Sequence, residues 1–382
     1  MCKRLGIGNE IADTNGGAGL EPAQVKGKMK GLILSGGRGT RLRPITYTSA
    51  KQLVPVANKP ILYYGIECIR DAGIGDIGII VGDTQCEIEA AVGDGSRWGV
   101  KIAYIRQQEP LGLAHAVKIA EPYLGEDHFV MYLGDNLVKD GITSLVREFE
   151  VERPNAQILL AHVDNPQEFG VAELNGDHVV HLVEKPKEPQ SDLALVGVYM
   201  FDHHIFEAVK AIQPSARNEL EITDAIQYLI DRGYRVRSHI IGGWWKDTGK
   251  LEDMLEANRL MLDALERCVE GSVAEDSQIH GKVVIGAGSR VIHSEVRGPA
   301  IIGENCLIES SYVGPFTSIQ SGVQIIESEV EHSIILENSR VIHIGSRIED
   351  SLLGKNVEVR RNHRKPRAYR LMLGDSSQVN LP

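Results

Sequence analysis

Between Ile279 and Val359 the chain repeats itself every 17 residues, and that period restricts its fold more than any other feature. Ile285, Ile302, Ile319, Leu336 and Leu353 form one aliphatic column. Val291, Ile308, Ile325, Ile342 and Val359 form a second; Ile279, Val296, Val313 and Val330 form a third. Three columns with one shared period predict a solenoid with three faces per coil. β-Branched residues and pairs such as Ile285-Gly286 and Ile302-Gly303 recur without a 3.6-residue period, which argues against helices. Arg347 breaks the third column and predicts an atypical last coil.

Within a coil the spacings are 6, 5 and 6 residues. This resembles the hexapeptide-repeat left-handed parallel β-helix, with one side a residue short. The preceding part reads differently. Apolar runs at 31–35, 77–81, 100–105, 129–133 and 158–163 alternate with helical patterns at 61–72, 87–92 and 113–123. Alternation of this kind predicts an α/β domain, a mostly parallel mixed sheet with helices on both faces. Asn175-Gly176 predicts a type I′ turn between strands 171–174 and 178–183. A long helix over 251–267 then leaves this domain. The expected organisation is a flexible tail over 1–28, an α/β domain over 29–267, a β-helix over 268–360 and a solvated tail over 361–382.

The chain is 382 residues long with a net charge of −11. An acidic balance gives no general attraction to nucleic acid or an anionic membrane, so neither is expected as a partner. No apolar run approaches the roughly 20 residues of a membrane-spanning helix. The first 28 residues lack an apolar leader core. Five scattered cysteines do not read as a disulfide framework, and buried or incidental thiols in a reducing cytoplasm are expected.

The chemistry begins where an apolar strand meets a glycine- and arginine-rich loop, Leu34-Ser35-Gly36-Gly37-Arg38-Gly39-Thr40-Arg41-Leu42. Glycines let the backbone approach phosphate and arginines neutralise it, which suits a nucleoside triphosphate. Neither Gly-x-x-x-x-Gly-Lys-Ser/Thr nor Gly-x-Gly-x-x-Gly is present there. Followed by Pro44, by Lys51-Gln52-Leu53-x-Pro55 and by Lys59-Pro60, the loop resembles that of the sugar-1-phosphate nucleotidyltransferases, and the Lys51-Gln52 pair that of the glucose-1-phosphate thymidylyltransferases. The appended repeats resemble the long form of that family.

That resemblance implies attack of a glucose 1-phosphate oxygen on the α-phosphorus of dTTP, giving dTDP-glucose and pyrophosphate for deoxysugar biosynthesis. No covalent enzyme intermediate is needed, so catalysis is positioning and charge neutralisation. It implies Leu34, Gly36, Gly37, Gly39, Thr40, Arg41, Gln52, Gln107, Gly112 and Asp135 for the nucleotide, with Gln107 and Gly112 at the thymine edge. Asn136, Gly170, Glu184, Lys185 and Arg217 fall to the sugar phosphate. Arg41, Lys51 and Lys185 are the catalytic cations. Asp135 and Asp247 are the pair implied to hold Mg²⁺, which takes few protein ligands. Pro186 is expected to keep Lys185 extended. Asn218 stands where the family usually has glycine. His115 reads as an ordinary helical histidine, and His203-His204 as capping or surface residues.

Three alternatives accompany this expectation. One is use of UTP, because a single methyl discriminates weakly. Another is a bifunctional uridylyltransferase and acetyltransferase, with His280, His293, His332 and His343 in or near the coils. The last is a non-catalytic regulatory paralogue that binds sugar nucleotides. The β-helix is expected to assemble a homo-oligomer.

Overall fold

The computed structural model describes residues 29–37, 39–176, 178–361 and 379. Arg38, Asp177, the expected tail 1–28 and all of the expected tail 361–382 except 361 and 379 lie outside the described residues. The rest forms two compact units, one holding 61–247 with the first strand, the other holding 39–60 and everything from 248 onward.

The first unit is built on nine strands. Their spatial order is Lys101–Arg106, Asp76–Val81, Lys30–Ser35, Phe129–Leu133, Leu193–Phe201, Ala156–His162, Val236–Ile240, His178–Glu184 and Gly170–Asn175. The first four are parallel; Leu193–Phe201 runs antiparallel to both its main neighbours. Alternation along the first strand explains why both faces are covered. Leu32 and Leu34 join a core with helices Leu113–Leu124, Ile205–Ala211 and Ile222–Asp231. Gly31 and Ile33 face the other way, toward Ile69 and Gly65 of helix Ile61–Asp71. Parallel strands buried on both faces need unbroken apolar runs, as seen in the sequence.

The hairpin forms with a difference. Asn175 pairs with His178, so Asn175 ends the strand and the loop begins at Gly176. A bulge between Val179 and His181 re-aims the second strand.

In the second unit, helix Leu251–Asp263 precedes the coils, shorter than the expected 251–267. The coils stack as three parallel sheets. Ile285, Ile302 and Ile319 lie in one ladder, Val291, Ile308 and Ile325 in another, Ile279, Val296, Val313 and Val330 in the third. Beyond this point the strict 17-residue reading fails. Ile335, not Leu336, pairs with Ile319 and Leu353. Val341, not Ile342, pairs with Ile325 and Val359. The third column continues through Ile348, bridged to Val330, and not through Arg347. One coil is therefore a residue short and the next a residue long, so the register recovers. His332, His343 and Asp350 turn these corners at positive φ.

Asn258, fully buried, ties the coils to an earlier loop. Its Oδ1 accepts from Ala57 N at 2.9 Å and Ser318 Oγ at 2.6 Å, while its Nδ2 donates to Phe316 O at 3.0 Å. Asn58 Nδ2 donates to Ile319 O at 2.7 Å.

Cys68, Cys86 and Cys306 are free, as expected, but Cys268 is disulfide-bonded, which the reading of scattered thiols did not anticipate.

Candidate active site

Strand order reverses between Lys30–Ser35 and Phe129–Leu133, the position where open α/β sheets take ligands at their carboxyl ends. The loops leaving these strands lie side by side there. Gly134 N donates to Leu34 O at 2.9 Å, and Gln107 N donates to Val81 O at 2.8 Å. Gly36 and Gly82 approach so closely that a Cβ on Gly82 would lie 2.8 Å from Gly36 O. Gly36, Gln107 and Asp135 thus follow the carboxyl ends of parallel strands on one edge of the sheet, with Asp76–Val81 between the strands that lead to Gln107 and Gly36.

Gln107 Nε2 donates to Gly112 O at 3.3 Å and meets His115 Nδ1 at 3.0 Å. Gly112 has φ +101°, and a Cβ there would stand 2.4 Å from Leu220 O. Leu220 N donates to Leu111 O at 2.8 Å, and Ala114 N donates to Leu220 O at 3.0 Å. The Gln107–Gly112 segment is therefore pinned to the segment that carries Arg217.

Asn136 is buried and pairs with Asp247 across a two-stranded ribbon, Asn136–Val138 against Trp245–Asp247. That pairing sets Asp247 diagonally next to Asp135. Asn136 Nδ2 donates to Asp135 Oδ1 at 3.0 Å, and Trp245 Nε1 donates to Asn136 Oδ1. Gly197 makes room, since a Cβ there would lie 2.6 Å from Asn136 Oδ1. The Trp245 ring packs edge-on to Phe169 with centroids 5.2 Å apart.

Gly170 pairs with Glu184, and a Cβ on it would strike the Thr223 methyl at 2.7 Å. Arg217 is held by Glu221 through Nε at 3.2 Å and Nη2 at 2.8 Å, and its Nη2 reaches Glu184 Oε1 at 3.1 Å. Burial, then the neighbouring Glu221 charge, pushes the Glu184 carboxyl above its usual range. Asn218 has φ +60°, in the left-handed region that asparagine tolerates better than most residues. The expectation that Pro186 keeps Lys185 extended is overturned. Lys185 has φ +45°, in the left-handed region, and its N–H donates to Phe169 O at 3.0 Å. The hairpin end imposes this conformation in spite of Pro186.

In the other unit Gly39 has φ +62°, and a Cβ there would lie 2.8 Å from Lys51 Cβ. Thr46 Oγ1 donates to Gly39 O at 2.7 Å. Thr40 and Arg41 are exposed on a short 3₁₀ turn. The Arg41 guanidinium lies over Gly249, where a Cβ would be 3.1 Å from Nη2. Lys51 and Gln52 are buried, and Gln52 Oε1 has no hydrogen-bond partner among the described residues.

A nucleotidyl transferase family model matches residues 30–264. The chain belongs to the nucleotidyl transferase family. This nucleotidyl transferase is 57% identical to a glucose-1-phosphate thymidylyltransferase of Streptomyces antibioticus, over 92% of the present chain and 99% of that protein. A Streptomyces griseus protein of the same name is 55% identical, over 92% and 99%. Among solved structures, a Bacillus anthracis protein described as a glucose-1-phosphate thymidylyltransferase superposes with a TM-score of 0.59 at 38% identity, covering 61% of the present chain and 95% of that one. The full-length likeness extends through the coils, so this nucleotidyl transferase shares its long form with the Streptomyces proteins.

Sequence reasoning missed Leu220, Glu221, Thr223 and Trp245 as supports of the site. Leu220 acts through its backbone and leaves no side-chain signature. Trp245 stands two residues before Asp247, and a tryptophan beside a metal-type motif was a usable signal.

Proposed function

We propose that this chain transfers the thymidylyl group of dTTP to glucose 1-phosphate, forming dTDP-glucose. The sugar phosphate oxygen attacks the α-phosphorus, and the bond to the β-phosphate oxygen breaks as pyrophosphate leaves. One observation carries the reading: Leu220 binds the Gln107–Gly112 segment to the Arg217 segment, so a base reader and a sugar-phosphate cation share one frame. The full-length identity to thymidylyltransferases supports it.

In this reading Leu34, Gly36, Gly37, Gly39 and Thr40 give backbone room to the triphosphate. Arg41 and Lys51 neutralise it, Gln52 adds a buried amide, and Gln107 Oε1 accepts the thymine N3–H while Gly112 N–H donates to a ring carbonyl. Asn136, Gly170 and Glu184 take the sugar; Lys185 and Arg217 take its phosphate. Asp135 and Asp247 are hard oxygen donors set side by side by the ribbon register, a donor set that fits Mg²⁺. When bound, Mg²⁺ supplies charge neutralisation on the phosphates. The coils, read as a left-handed β-helix over 268–360 that follows in sequence a catalytic domain over 29–267, assemble subunits in the cytoplasm.

The test is pyrophosphate release with Mg²⁺, crossing dTTP, UTP, ATP, GTP and CTP against glucose, galactose and N-acetylglucosamine 1-phosphates. Strong release from dTTP with glucose 1-phosphate is expected. No release from dTTP with any sugar phosphate overturns the reading.

A further inference from the structure

We propose that His115 is a specificity-determining positioning residue, which locks the Gln107 amide so that only its carbonyl faces the base. The inference rests on the reading of Gln107 as the base reader. An amide has two N–H groups and one carbonyl. Gln107 Nε2 lies 3.3 Å from Gly112 O and 3.0 Å from His115 Nδ1, two acceptors for its two hydrogens. No hydrogen bond to Gln107 Oε1 is present among the described residues. That oxygen points at the glycine-rich loop, where a Cβ on Gly36 would come within 3.0 Å of it.

The lock needs His115 Nδ1 to be a bare acceptor, with the ring proton on Nε2. Burial lowers the affinity of the ring for a second proton, Lys118 on the same helix acts in the same direction, and Glu109 in the loop opposes them. Turned over, the amide would set Oε1 against Gly112 O and a ring lone pair, which is repulsive.

The consequence is a choice between pyrimidines. Thymine and uracil carry a proton on N3 and can donate to a fixed carbonyl. Cytosine carries a lone pair on N3 and an amino group at C4, and meets that carbonyl with the wrong edge. His115 does not touch the base; it acts through Gln107. Removing the acceptor frees one N–H of Gln107, lets the amide turn, and admits cytosine.

The experiment compares kcat/KM for dTTP and dCTP, with glucose 1-phosphate, in the full-length protein and in His115→Phe, which keeps a ring without an acceptor. The dTTP:dCTP ratio is expected to fall by about tenfold or more, the scale of losing one oriented polar contact. His115→Asn, whose side-chain oxygen can stand in for Nδ1, is expected to restore the ratio. His115→Leu gives a second acceptor-free variant if His115→Phe does not fold. A changed rate with an unchanged ratio in both acceptor-free variants overturns the proposal and leaves His115 a packing residue. A ratio lost equally in His115→Asn also overturns it. A wild-type protein that uses no dTTP at all overturns the parent reading instead, so the two failures are distinguishable.

Discussion

Gly112 is constrained twice over. Its φ is +101° and the Leu220 carbonyl occupies the space of a side chain. Gly112→Ala is expected to lose about 1–3 kcal/mol of stability, read as a lower midpoint in thermal denaturation. Its kcat/KM for dTTP should fall as well, because the Leu111–Leu220 and Ala114–Leu220 bonds would have to stretch. Selectivity within the imide pair should be weak. Thymine and uracil differ by one methyl, worth about 1–3 kcal/mol, so dUTP turnover should be measurable in the same pyrophosphate assay, about 10- to 200-fold below dTTP in kcat/KM. Gln107 and Gly112 are expected at the base through the resemblance of their segment, and the structure joins them by one hydrogen bond. The contact of His115 with Gln107 was not legible in the sequence, since it depends on a partner across a loop. Lys185 was misjudged for a related reason: the rule for residues before proline is local, whereas its conformation is imposed by Phe169 on the paired strand.

At the scale of elements, the ribbon Asn136–Val138 with Trp245–Asp247 is what turns two distant aspartates into neighbours. Both motifs were legible as strand-end carboxylates; the antiparallel pairing that joins them was not, because three-residue strands carry no periodicity. Chelation with EDTA is expected to abolish pyrophosphate release, and added Mg²⁺ to restore it. Asp247→Asn should raise the Mg²⁺ concentration needed for half-maximal rate. Trp245→Phe keeps the ring packing on Phe169 but strands the buried Asn136 Oδ1 without its donor. A loss of about 1–3 kcal/mol is expected, measured by denaturant unfolding. The long buried strands were easier to read. Their continuous apolar runs follow from burial on both faces, and the observed bounds differ from expectation by only a residue or two, as at Lys30–Ser35 and Phe129–Leu133.

Across the whole molecule, the coils are bound into the unit that carries Arg41 and Lys51. Asn258 is a central tie: one fully buried amide serves Ala57, Phe316 and Ser318 at once. Asn258→Leu would leave those groups unpaired, and a loss on the order of 3 kcal/mol is expected in denaturant unfolding. The 17-residue period announced the solenoid because identical coils need identical columns. It failed at Leu336 and Ile342 because compensating changes in corner length leave the average period intact while shifting individual residues. A stack of coils coupled only to their neighbours behaves as a one-dimensional chain of cooperative units. The third sheet stops at Val330, with only a bridge to Ile348, so coupling is thinnest at the short and long coils. Amide hydrogen exchange should therefore be faster at Ile335, Val341 and Leu353 than at Ile302 and Ile308. Such a stack does not melt in one step: it unzips from its far end, and the closing of that zip halts where the period falters.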